Sequence, residues 1–376
     1  MKAFEEGTIG RLTLKNRFVH SPTYEGLAAP DGSCTPELID FNREIAKGGV
    51  GINTVSFAFI HDSGRHLPGQ IGIHSDDMIP GLTKMAEAIH EEGAKAFIQI
   101  AHAGPHANMK YSGVQAMAPT GMENKKGGLS RTMTKEDIKN AVNWFKSAAR
   151  RAKEAGFDGV QIHAAHGYLV SAFISPYYNK REDEYGGSFE NRLRLFLDIL
   201  RAVRAEVGPD YPITTKMNSE DQVEGGLTRE MMVDAALVFE ENGIDAIELS
   251  VGTNTDKAVP TVSSPNIDPK TPEEEGYFVQ AAKLYKERVK TPLILVGGFR
   301  SLEGCERALN ENIADFISLS RPLVREPGLV RRWQNGDTAR SKCISCNLCR
   351  EYIFTGRSNG LICVPEMKLA EKGKNK

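Results

Sequence analysis

One short run, Gln161-Ile-His-Ala-Ala-His-Gly-Tyr168, brings two imidazoles and a phenol together. His163 and His166 stand three apart, and Gly167 lets the backbone turn sharply beyond them. Two imidazoles so placed can donate hydrogen bonds to one substrate oxygen, and Tyr168 adds a hydroxyl within the same short reach. Two donors beside a weak acid suit an enolate-forming reaction, in which an oxygen gains charge as a carbon takes hydride. An isolated His-x-x-His is more often a polar strand end bonded locally, and as a zinc site it would need a third ligand nearby.

Three further segments carry chemistry. In Gln99-Ile-Ala-His102-Ala-Gly104, the Gln99 amide offers both a donor and an acceptor, as an imide edge such as a flavin pyrimidine requires. A Gln inside a strand is costly to bury unpaired, so a structural pairing accounts for it equally well. Leu295-Val-Gly-Gly-Phe299 and Leu319-Ser-Arg-Pro322 combine Gly297 and Gly298, which permit close backbone approach, with Arg321, a fork for phosphate oxygens. Turn chemistry explains a Gly-Gly pair but not the arginine that accompanies it. Lys216, ending the apolar run before Met217, would stabilise negative charge at the mouth of a site; a surface lysine is the bland alternative.

The cysteines form a fourth constellation. Cys343-x2-Cys346-x2-Cys349 is followed after thirteen residues by Cys363, so four of the six cysteines fall near the C-terminus. That clustering favours metal over disulfides in a reducing compartment. Four thiolates suit a [4Fe–4S] cluster, with a tetrahedral zinc the alternative.

These residues need elements to position them. Strands are predicted at Arg17–Ser21, Val50–Phe57, Ala94–Ile100, Gly159–His163, Ile213–Met217, Ala246–Ser250, Leu293–Val296 and Phe316–Leu319. Helices are predicted between them, at Pro36–Lys47, Ile79–Glu92, Lys135–Glu154, Glu190–Val207, Arg229–Glu241 and Glu274–Arg288. Gly93, Gly156 and Gly243 each fall where a helix must end in left-handed backbone before an apolar strand. Eight βα units with no G-x-G-x-x-G favour an α/β fold closed as a single (β/α)8 TIM barrel over a doubly wound sheet. The long connections 101–131 and 167–187 read as rim insertions. The division expected is a barrel over 1–335 and a cysteine-bearing extension over 336–376, with Glu371–Lys376 a disordered end.

Length and composition exclude other classes. With 376 residues, 40% hydrophobic and 26% charged, the chain has an ample core. A net charge of −2 gives no reason to expect nucleic acid or an anionic membrane as partner. The N-terminal MKAFEEGTIGRLTLKNRF has no apolar run fit for a signal peptide or membrane span, so a cytoplasmic location is expected.

Taken together, the segments resemble the Old Yellow Enzyme superfamily of FMN-dependent NADH:flavin oxidoreductases. The resemblance runs from about Phe4 to Pro365, and its most specific stretch is His163 through Arg192, HAAHGYLVSAFISPYYNKREDEYGGSFENR. Leu14-Lys-Asn-Arg-Phe-Val-His-Ser-Pro22, Gln99 with His102, and the phosphate loops follow the expected order. The resemblance implies that His163 and His166 bind a substrate carbonyl and that Tyr168 protonates the carbon opposite the hydride. It further implies that Gln99 meets the flavin pyrimidine, that Ser21, Pro22, Thr23 and Ala58 flank the ring, and that Gly297, Gly298, Ser320 and Arg321 hold the phosphate. Lys216 stands where relatives usually carry arginine, keeping the charge but losing the planar fork. Tyr24 stands where a Thr or Cys often tunes the flavin, and a phenol there would narrow the pocket.

The cysteine spacing is similar to the iron–sulfur branch, nearest to trimethylamine dehydrogenase and slightly different from 2,4-dienoyl-CoA reductase. The function implied is an ene-reductase passing hydride from FMN to the activated C=C of a small unsaturated carbonyl compound. NAD(P)H or an electron-transfer protein would supply the electrons, and the family commonly forms homo-oligomers. The alternatives are an electron-transfer subunit of a flavin/iron–sulfur complex, an amine dehydrogenase-like enzyme, or a non-redox phosphate-binding barrel with zinc at the cysteines.

Overall fold

The computed structural model describes residues 1–123, 128–253, 267–354 and 360–374. Eight parallel strands close into a barrel: β1 Phe18–His20, β2 Ile52–Phe59, β3 Lys95–Ala101, β4 Gly159–Ala164, β5 Ile213–Asn218, β6 Ala246–Ser250, β7 Leu293–Val296 and β8 Phe316–Leu319. Each strand pairs with its neighbours in sequence and β8 returns to β1, so the chain circles the barrel once. The strands are buried on both faces, as expected where helices cover the outside and side chains fill the interior.

The helices begin where capping residues dictate. Thr134 and Asp137 form a reciprocal capping box at the start of Lys135–Glu154, and Thr35, Ser188, Thr228 and Ser301 cap four others. The hairpin Gly7–Ile9 with Leu12–Leu14 plugs the N-terminal end of the barrel, packing Ile9 and Leu14 on Val19, Ile52, Phe97, Ile294 and Phe316. The opposite end is left to the connecting loops.

Two local expectations are corrected. The helix predicted from Glu274 starts at Val279, because Gly276 at φ 87° breaks the chain after a short 3-10 turn, Pro272–Glu274. The end expected to be disordered from Glu371 instead continues the helix Val364–Lys374, built from the helix formers Glu, Met, Lys, Leu and Ala; 375 and 376 lie outside the described residues. The two rim insertions carry structure of their own, as their length suggested. The first carries Met109–Ser112 and pairs Met117–Ala118 with Arg131–Thr132, its positions 124–127 lying outside the described residues; the second carries the helix Leu169–Ile174. No helix among the described residues is long and apolar enough to cross a membrane.

Candidate active site

A cleft of about 530 Å³ opens at the C-terminal ends of the strands, where barrels assemble their reactive groups and within the size range of small-molecule sites. Of the residues singled out in the sequence, Ser21, Pro22, Thr23, His166, Tyr168, Lys216, Gly297, Gly298, Ser320 and Arg321 line it. His163, Gln99 and Ala58 do not; they are buried around it.

β4 delivers the imidazole pair. The His163 ring packs 5.2 Å from that of His166 and 4.8 Å from that of Tyr168, centroid to centroid. His163 Nδ1 accepts from the Ala165 amide at 3.3 Å, so its proton resides on Nε2, a donor available to a ligand. His166 adopts φ 63°, a left-handed conformation costly for a side-chain-bearing residue. The Asn218 side chain holds that turn by accepting from the His166 amide at 3.0 Å, while His166 Nε2 and the Ser250 hydroxyl share a bond of 2.8 Å.

Burial and the Lys216 charge push His166 down to about 3, and burial, with the neighbouring His166 ring and the Lys216 charge, holds His163 well below the usual imidazole range. Both rings are therefore neutral at physiological pH, each with one donor. Burial raises the Tyr168 phenol, which keeps its proton.

The depressed imidazoles carry a prediction. A His whose folded-state value is lowered adds stability that is complete above the unfolded value, 6.5, and is lost as pH falls toward the folded one. Between pH 7 and pH 5 wild type should lose about 2 kcal/mol more than His166→Gln, measured as urea unfolding free energies. Equal losses would contradict the burial of a neutral ring.

Under the cleft runs a closed polar network. Lys216 Nζ donates to Ser21 Oγ at 2.7 Å and to Glu248 Oε1 at 3.1 Å. Ser21 and Ser318 donate to the same carboxylate oxygen at 2.8 and 2.9 Å. Glu248 Oε2 accepts from Gln161 at 2.8 Å, and Gln161 Oε1 accepts from Gln99 at 2.7 Å. Burial raises Glu248, but the Lys216 charge and these bonds outweigh it and leave the carboxyl below its ordinary value. Glu248 escaped the sequence reading; its signal was one acidic residue in the apolar run Ala246–Ser250. Gln99 is thus paired within the protein, and Lys216 is a buried ion-pair member rather than a surface lysine.

The other end of the cleft is an anion cradle. Gly297 and Gly298 adopt φ 117° and 81°, and a Cβ on Gly298 would lie 2.6 Å from the Tyr277 ring. Arg321 and Ser320 flank them. Arg300, also missed, is 2% exposed yet borders the cleft. Its guanidinium donates to the Phe299 and Cys343 carbonyls and to the Ser345 hydroxyl, at 2.7, 3.0 and 2.6 Å. Bonds to neutral oxygens leave its charge available to a phosphate. The N-terminus of the nine-residue helix Leu302–Asn310 follows directly, and amide-rich, positive-φ backbone beside two guanidiniums is the donor set that FMN phosphate needs.

The C-terminal extension roofs the cleft. Cys349, Arg350, Ile353, Phe354 and Leu361 border it, and the Phe354 ring stacks on Tyr24 at 6.0 Å and 21°. The thiols of Cys343 and Cys363 act on Cys349, which burial raises, while Arg321 opposes them. Arg325 donates to Cys363 Sγ at 3.4 Å. Among the described residues, however, no three His, Cys, Asp or Glu side chains converge as ligands of one metal.

A model of the NADH:flavin oxidoreductase / NADH oxidase family matches residues 2–339. The 4,4'-dithiodibutanoate disulfide reductase of Rhodococcus erythropolis is 34% identical, over 94% of this chain and 93% of that protein. The NADH oxidase of Thermoanaerobacter brockii is 37% identical over 92% of this chain but only 52% of its own length, so the chain spans about half of that relative. A solved 2-naphthoyl-CoA reductase in complex with 2-naphthoyl-CoA superposes with a TM-score of 0.84 at 30% identity, over 93% of this chain and 54% of that one.

Proposed function

The chain belongs to the NADH:flavin oxidoreductase / NADH oxidase family, the Old Yellow Enzyme family of flavin-dependent NAD(P)H oxidoreductases, and on that premise we propose that it is an ene-reductase. The observation that carries this reading is the neutral His163–His166 pair packed against Tyr168, with His166 and Tyr168 lining the same cleft as the anion cradle and His163 buried behind them. FMN bound there would supply a hydride, taken from NAD(P)H, to the β-carbon of an unsaturated carbonyl compound. Gly297, Gly298, Ser320, Arg300 and Arg321 would hold its phosphate, with Ser21, Pro22, Thr23, Ala58, Gln99 and Lys216 around the ring.

His163 and His166 each present one N–H to the carbonyl oxygen, where negative charge develops in the transition state. Tyr168 holds a proton for the α-carbon, and water restores it afterwards. Tyr168→Phe should therefore slow acceptor reduction about 100-fold while flavin reduction by NAD(P)H proceeds normally, as stopped-flow absorbance would show. Unchanged acceptor reduction would remove Tyr168 from the proton path.

We also propose that Cys343, Cys346, Cys349 and Cys363 hold a [4Fe–4S] cluster, with zinc the alternative. The spacing and the neighbouring Arg321 and Arg325 suit a thiolate-rich, anionic centre. Iron and zinc quantified on anaerobically purified protein decide between them: about four irons per chain for the cluster, one zinc for the alternative.

The similarity to a disulfide reductase over nearly its full length favours a second reading, in which the acceptor is an organic disulfide. An electron relay would need no paired donors beside a phenol, and an amine dehydrogenase would need no clamp for a carbonyl oxygen. Steady turnover of cyclohexenone by the isolated protein supports the first reading, whereas turnover of disulfides alone supports the second.

A further inference from the structure

The cleft is cationic although the chain as a whole is not. Lys216, Arg300, Arg321 and Arg350 line it, and no Asp or Glu does among the described residues. Three of these cations are committed. Lys216 is paired with the buried Glu248 carboxylate at 3.1 Å. Arg300 is held among carbonyl and hydroxyl oxygens at the glycine cradle, and Arg321 donates to Asn347 Oδ1 at 2.7 Å beside it.

Arg350 differs. It is exposed and borders the same cleft as Tyr168; its backbone N–H bonds the Cys349 thiol, and its guanidinium has no hydrogen bond or ion pair among the described residues. Its positive charge is the main influence opposing the burial that raises the Tyr168 phenol. The short helix Leu348–Ile353 that carries it is pinned over the cleft by Phe354 on Tyr24. Phe57, Ile353 and Tyr24 line the same cleft, so a guanidinium without a protein partner there suits a small ligand that joins an anion to an apolar part.

We propose that Arg350 binds a carboxylate on the electron acceptor, so that the preferred acceptors are small acidic molecules. This rests on the reading of the cleft as an acceptor-reducing site, and it names the substrate class of that site. Arg350 is a specificity residue here, not a proton donor.

The test uses the holoenzyme with two probes, trans-4-oxo-2-pentenoate and its methyl ester, which share one enone and differ in charge and in the activation that the carboxyl group adds, so the change of their ratio on substitution is what is read. In Arg350→Ala the acid-to-ester ratio of kcat/KM should fall roughly tenfold to a hundredfold, and Arg350→Lys should restore part of it. An unchanged ratio overturns the proposal, while turnover of the ester leaves the ene-reductase reading standing. If neither probe is reduced, calorimetric binding of 4-oxopentanoate still decides: tenfold weaker binding in Arg350→Ala supports the anion site, and equal binding sinks it. If Arg350→Ala slows only flavin reduction by NADH or NADPH, the anion is the dinucleotide phosphate and the carboxylate proposal is wrong.

Discussion

Lys216→Met is expected to destabilise the protein by about 3–5 kcal/mol, the usual cost of removing one partner from a buried ion pair. The methionine fills similar volume, so the loss arises from the charge left behind rather than from a cavity. Glu248 is fully buried, and without Lys216 its carboxylate keeps only neutral donors from Ser21, Ser318 and Gln161. The double variant Lys216→Met/Glu248→Gln should recover most of the loss, because a neutral amide can still bond within the network. Urea unfolding of the three proteins checks both statements. A single variant as stable as wild type, or a double variant no better than the single, would mean that the network does not bind the barrel floor together.

The second large effect concerns the imidazole pair. Replacing both His163 and His166 by Ala should lower kcat/KM for an unsaturated ketone by at least about 100-fold, the cost of removing a preorganised oxyanion donor. The flavin content and the rate of flavin reduction should change far less, because the cradle around Gly298 and Arg321 lies at the other end of the cleft. The single variants should not sum to the double, since both donors would serve one oxygen. A double variant that reduces the ketone at the normal rate would leave the pair with only the structural bonds to Ala165 and Ser250.

What the sequence made legible follows from how local each signal is. The strands could be read because each is a short apolar run, and the glycines at 93, 156 and 243 do take the left-handed backbone expected before β3, β4 and β6. The His163–Tyr168 segment could be read because its three side chains are neighbours in the chain. The terminating effect of Gly276 is masked by Glu273, Glu274 and Glu275 just before it, which propagate a helix well.

What stayed hidden depends on tertiary partners. Glu248 gains meaning only from Lys216 on the adjacent strand, and Arg300 only from the extension whose Cys343 carbonyl and Ser345 hydroxyl it grips. The irregular register between Val55 and Ala58, which accompanies the turn of Phe57 toward the cleft, has no compositional mark. Nor could the sequence say that the cysteine-bearing segment forms the roof of the site.

The proposed transfer of hydride from NAD(P)H to an activated C=C bond at this cleft can be followed in one anaerobic titration. The purified protein would be reduced with one equivalent of NAD(P)H per flavin and then mixed with cyclohexenone. The flavin absorbance should bleach on reduction, return on mixing, and leave one cyclohexanone per flavin. A protein without flavin, or a bleached flavin that the enone fails to reoxidise while a dye or a disulfide does, would contradict it.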